Sequence, residues 1–280
     1  MFAKLFGRER QSAPKGAANL GPTGHVDTFA RDNLPAAELW PDLLLDRPEF
    51  QYPDHLNVGV ELTDRLVEKG FGDNTALIGN GRRRTYKELT DWSNRLAHAL
   101  VEDFGVKPGH RVLVRSGNNP AMVAVWLAVT KAGAVAVNTM PLLRAGELTK
   151  IVDKAQVSLA LTDSRIADEI VACAKDSRFL KKVISFDGTA NHDAELDRIA
   201  LGKSVKFEAV KTGRDDVALL GFTSGTTGEP KGTMHFHRDI LMIADGYAKE
   251  VLGVTPADVF VGSPPLAFTF GLGGLAVFPL

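Results

Sequence analysis

Ten consecutive positions, Thr223-Ser224-Gly225-Thr226-Thr227-Gly228-Glu229-Pro230-Lys231-Gly232, hold four hydroxyls, three glycines and one lysine, directly after the apolar run Val217-Ala218-Leu219-Leu220-Gly221-Phe222. Glycines let a backbone approach an anion and turn successive N–H groups toward it, hydroxyls add donors, and a lysine adds mobile positive charge. That is the chemistry of a polyphosphate cradle, with Thr223, Ser224, Gly225, Thr226, Thr227 and Gly228 as donors and Lys231 as the cation. A Walker A loop needs Gly-Lys-Ser/Thr at a helix start, but here Pro230 precedes Lys231 and Gly232 follows it. A hydrolase elbow, Gly-x-Ser-x-Gly, fails too, because Ser224 falls one place late in Gly221-Phe222-Thr223-Ser224-Gly225. The competing role for Lys231 is a solvated loop cation.

Two further groups of residues lie downstream. In Met234-His235-Phe236-His237-Arg238, strand alternation would put His235 and His237 on one face. Such a pair can bind metal, but no third ligand is evident, so no metal site is expected. In Pro265-Leu266-Ala267-Phe268-Thr269-Phe270-Gly271-Leu272-Gly273, the aromatic rings Phe268 and Phe270 with Gly271 and Gly273 suit a flat apolar ligand. Plain core packing is the competing explanation for those four residues.

The elements that must position these groups read as α/β. Thr85 and Glu88 form a capping box, followed by Leu89, Trp92, Leu96 and Leu100 at helical spacing up to Gly105. Arg111-Val112-Leu113-Val114 is a predicted strand, and Asn119-Pro120 opens a helix whose buried stripe is Met122, Val125, Trp126 and Val129, stopped by Gly133. Leu148, Ile151, Val152 and Ala155 outline a further helix, with predicted strands at 157–161, 183–186 and 217–222. Repeated β-α-β units imply parallel pairing in a sheet covered by helices. Residues 1–28 read as a polar tail, 29–57 as an irregular wrapping segment, and 188–216 as a polar surface excursion.

The 280 residues, 44% hydrophobic and 24% charged with net charge -1, describe an ordinary globular chain with no electrostatic reason to bind nucleic acid or an anionic membrane. No apolar run follows the basic opening 1–10, so neither a secretory core nor a membrane span is expected. The lone Cys173, in the helix-like stretch 170–174, is expected to be a small buried hydrophobe in a reducing, cytoplasmic setting.

The ten-residue stretch resembles the phosphate-binding signature of the AMP-forming adenylating superfamily of acyl-CoA synthetases, peptide-synthetase adenylation domains and luciferases. The resemblance extends back over Asn118-Asn119-Pro120 to Ala136, and forward to 265–273, which is similar to the family's carboxylate-substrate pocket. It departs at Phe268, where many acyl-CoA synthetases carry a His. The leader from Phe29 to Pro35 resembles that of benzoate- and 2-aminobenzoate-CoA ligases.

The resemblance implies the large N-terminal domain of an adenylating enzyme, with helix-covered, mostly parallel sheets. It also implies activation of a carboxylic acid with ATP and Mg²⁺ to an acyl-adenylate, then transfer to coenzyme A. It places Lys231 against the departing pyrophosphate and His237 near the acyl group, the latter also open to reading as a polar helix-start residue. An aromatic acid is the expected substrate, with a medium-chain or alicyclic acid as the alternative within enzymes. The family's adenine, ribose and C-terminal lysine motifs are not in the sequence, and 266–280 is almost wholly apolar residues and glycine. The chain is therefore expected to be an N-terminal fragment, with 29–280 a partial AMP-binding domain, inactive by itself or a silent nucleotide binder.

Overall fold

The computed structural model describes residues 20–280, except 42, 44, 190, 191 and 224–228. Six strands form one sheet: β3 (Arg111–Arg115), β4 (Val135–Thr139), β5 (Leu159–Asp163), β6 (Lys182–Phe186), β7 (Val217–Thr223) and β8 (Lys231–Phe236), ordered β6-β5-β3-β4-β7-β8. All neighbours pair parallel except the β7/β8 hairpin, which is antiparallel. A separate hairpin, β1 (Thr75–Gly79) with β2 (Arg82–Thr85), precedes it.

Strand alternation sorts the apolar residues onto two faces. Val112, Val114, Ala136, Leu159, Leu161 and Ala218 join one core. Leu113, Val135, Val137, Ala160, Val217 and Leu220 join the other. Helices α1 (Tyr86–Glu102), α2 (Pro120–Lys131) and α5 (Glu195–Leu201) cover the first face, and α3 (Ala145–Ala155) and α4 (Asp168–Asp176) the second. Burial of both sheet faces explains why the strands read as continuous apolar runs.

Local rules set the helix ends. Thr85 and Glu88 exchange side-chain and backbone bonds at the start of α1, completing the expected capping box. The Asn119 side chain accepts from the Met122 N–H with Pro120 in the first turn of α2, and Gly133 ends that unit at φ +69°. Every residue of α2 is buried, because it lies between the sheet, α1 and the short helix Val58–Glu61. Cys173 is buried on α4, and burial raises its thiol pKa.

Two expectations change. Residues 20–28, grouped with the tail by sequence, are docked: the Gly21 N–H donates to Asp215, and the Thr23 hydroxyl and Gly24 N–H donate to Asp216. The same bonds show that 188–216 is no mere surface excursion, since Thr212, Asp215 and Asp216 are buried. Among the described residues no helix is long and apolar enough to cross a membrane.

Candidate functional site

At the carboxyl ends of β4 and β7 the chain leaves in opposite directions. From β4 it crosses β3 to reach β5, whereas from β7 it turns outward to β8. Diverging connections open a crevice at the carboxyl edge of a parallel sheet, the usual place for a ligand. A cavity of ≈ 730 Å³ lies there, with Asn138 and Thr139 of β4 and Phe222 and Thr223 of β7 at its base. Met140, Leu143 and Ile151 form an apolar wall, Phe268 and Pro230 line it as well, and Arg144, Glu147 and Lys150 bring charge to its lining.

The β7/β8 pairing brings together the two ends of the ten-residue stretch singled out by sequence. Thr223 pairs with Lys231 in register, and both are exposed. Ser224, Gly225, Thr226, Thr227 and Gly228 lie outside the described residues. Gly232 has a local cause: it pairs with Phe222, and a Cβ there would meet that ring at 3.2 Å. The glycine after Lys231 therefore lets the Phe222 ring lie across the hairpin beside the cavity.

The two histidines separate. β8 ends at Phe236 and helix α6 (His237–Ile243) begins at once, so alternation does not carry His237 onto the face of His235. His237 has no exposed surface. Its Nδ1 accepts from the Val58 N–H at 3.1 Å, and its Nε2 is buried without a hydrogen-bond partner. Burial first, then the neighbouring His25, pushes its pKa down to about 3, opposed by Asp216. It stands as a neutral imidazole at the start of α6, buried against Val58. His235 is half-buried and shares a 3.0 Å hydrogen bond with the Thr233 hydroxyl.

The segment 265–273 contributes one residue to the cavity, Phe268. Phe270 is 79% exposed and outside the lining. Gly271 is buried with its α-carbon against the Pro265 carbonyl, where any Cβ would overlap it, so packing within the segment requires this glycine. Gly273 is buried beside Ile243.

Sequence reasoning passed over the residues that hold the apolar wall. Arg115, fully buried at the end of β3, donates to the carbonyls of Met140 (2.7 Å), Pro141 (2.6 Å) and Leu143 (3.0 Å). Glu169 of α4 accepts from the Ala145 N–H and from Arg144, each at 2.8 Å, fixing the start of α3. A charged residue at each end of an otherwise apolar strand run, Arg111 to Arg115, was the available signal. Among the described residues no group of three His, Cys, Asp or Glu could hold a metal ion.

A family model described as "AMP-binding enzyme" matches residues 65–280. The chain is 30% identical over 233 residues to a benzoate–CoA ligase of Thauera aromatica, covering 83% of this chain and 44% of that protein. It superposes on an anthranilate CoA ligase, AuaEII, solved with anthranoyl-AMP, at TM-score 0.76 and 25% identity, covering 83% of this chain and 45% of that one. An ATP-bound MatB of Rhodopseudomonas palustris gives TM-score 0.68 at 26% identity, covering 80% and 44%. The chain thus spans less than half the length of these relatives. With the family model matched over most of its length, the chain belongs to the AMP-binding enzyme family.

Proposed function

We propose that the protein carrying this chain activates a carboxylic acid with ATP and passes the acyl group to coenzyme A, with an aromatic acid as substrate. The observation that carries the proposal is the pairing of Thr223 with Lys231 at the carboxyl edge of the sheet, beside a cavity whose wall is apolar and whose lining carries charge. In such a reaction a carboxylate oxygen forms a bond to the α-phosphorus while the bond to pyrophosphate breaks. The thiol sulfur then bonds to the acyl carbon as AMP leaves with its electron pair. Nucleotidyl transfer needs positioning and charge stabilisation more than a protein nucleophile.

Thr223 and Lys231, the described members of the proposed cradle, are a hydroxyl donor and a cation of the kind a polyphosphate takes. Lys231 would oppose charge developing on the pyrophosphate, and the Thr223 hydroxyl would donate to a phosphate oxygen. Mg²⁺, when bound with ATP, spreads the charge of the phosphates, and Glu147 is the carboxylate in the cavity lining of the kind hard cations take. Ser224, Gly225, Thr226, Thr227 and Gly228 complete the proposed cradle. Met140, Leu143, Ile151, Phe222 and Phe268 offer the acid an apolar surface with two rings against which a flat group can stack. The benzoate- and anthranilate-CoA ligases among the relatives support the aromatic class. His237, Phe270, Gly271 and Gly273 would act on the acid only through the residues they pack against.

The test is thioester formation by the protein carrying this chain, with ATP, CoA and a panel of benzoates, alicyclic and medium-chain acids. Turnover of benzoates above the others is expected. Turnover of fatty or alicyclic acids without benzoates would replace the aromatic assignment. No thioester with any acid, alongside tight ATP binding, would leave a silent nucleotide binder.

A further inference from the structure

Helix α3 presents two lysines one turn apart, and both reach the same short piece of chain. Lys150 Nζ pairs with the Glu229 carboxylate at 2.9 Å, and Lys154 Nζ donates to the Pro230 carbonyl at 2.8 Å. Glu229 and Pro230 lead directly into Lys231. The helix itself is a firm support: Leu148, Ile151, Val152 and Ala155 are buried in the second core, and Glu169 accepts from its first N–H. Lys150 also lines the cavity.

We propose that Lys150 and Lys154 form a clasp that sets the position of Lys231 for the phosphate groups, with Glu229 and the Pro230 carbonyl as its two handles. This rests on the phosphate-binding role proposed above for the stretch ending in Lys231. Both members of the ion pair are more than half exposed, so the clasp contributes little to folding stability. Its contribution lies in order. A segment already held where its lysine must act loses less freedom when an anion binds, and that saving appears as affinity. Lys154 meets a carbonyl and Lys150 a carboxylate, so the two contacts respond differently to substitution. An arginine at 154 can still donate, whereas the Lys150 contact depends on the charge of residue 229.

The experiment is equilibrium titration of the protein carrying this chain with Mg·ATP, with thermal unfolding followed in parallel. K150M and E229Q should each weaken binding about 3-fold, and the double variant should be no weaker than either single one, because each removes the same contact. K154M should also weaken binding about 3-fold while K154R restores it, with all midpoints within about 2 °C of the parent. Tighter Mg·ATP binding by E229Q would overturn the clasp, since Glu229 would then be competing with the nucleotide for Lys150. Parent-like affinity in K150M, E229Q and K154M, with binding weakened in K231A, would overturn the clasp alone. Failure of the parent to bind Mg·ATP, or binding untouched by K231A, would overturn the phosphate-binding role itself and the clasp with it.

Discussion

His237 illustrates how far a residue's chemistry depends on what surrounds it. The family resemblance makes it a candidate near the acyl group, yet it is wholly buried and holds the Val58 N–H, a partner 179 positions away in sequence. No local pattern reveals such a partner. The consequence is a pH dependence of folding. In the unfolded chain the imidazole takes a proton as pH falls through 6.5, whereas in the folded chain its pKa lies at about 3. Between those values the unfolded state binds the extra proton, so this residue's contribution is complete above pH 6.5 and declines as pH drops toward 3. Lowering pH from 7 to 5 should cost about 2 kcal/mol through His237. Urea titrations at both pH values should show that loss in the parent and a smaller one in H237N. An equal loss in both would contradict the assignment. Thr223 and Lys231, by contrast, stand out together because ten residues of local sequence carry the whole pattern, while their pairing across two strands shows only in the fold.

At the scale of elements, most strands and helices follow from local rules, and the differences come from tertiary contacts. The capping box at Thr85 and the Asn119-Pro120 start behave as their sequences require. Helix α2 is the exception in character. Its sequence marks one stripe, but the fold buries all sides, and its last residue is the fully buried Lys131. The three ammonium donors are matched by Asp64 Oδ2 (2.7 Å), Asn94 Oδ1 (2.7 Å) and Ser93 Oγ (3.0 Å), which ties α2 to α1 and to the short helix Asp64–Leu66. Burial pulls the Lys131 pKa down and Asp64 opposes that pull. Removing the carboxylate strands a charge, while removing the charge does not, so D64A should destabilise by about 2–3 kcal/mol and K131M by less. The value for D64A is set below that of a fully buried pair because the Asp64 side chain stays a quarter exposed. Chemical denaturation of both variants checks the ranking, and K131M proving the more damaging would refute it.

For the whole molecule, the repeated β-α-β units made the parallel sheet and its helical cover legible, but not the strand order, because each crossover chooses its side through contacts far apart in sequence. The order β6-β5-β3-β4-β7-β8 is what opens the crevice between β4 and β7. Nor did sequence reveal that Asp215 and Asp216 gather the N-terminal segment, Arg31 and Arg238 around them. The proposed function depends on one arrangement: Lys231, at the start of β8 and paired with Thr223 beside the cavity, would meet the phosphates. ATP–pyrophosphate exchange by the protein carrying this chain, with and without Lys231→Ala, tests it most directly. Loss of exchange by about 100-fold or more at an unchanged unfolding midpoint is predicted, and exchange undiminished by the substitution would contradict it.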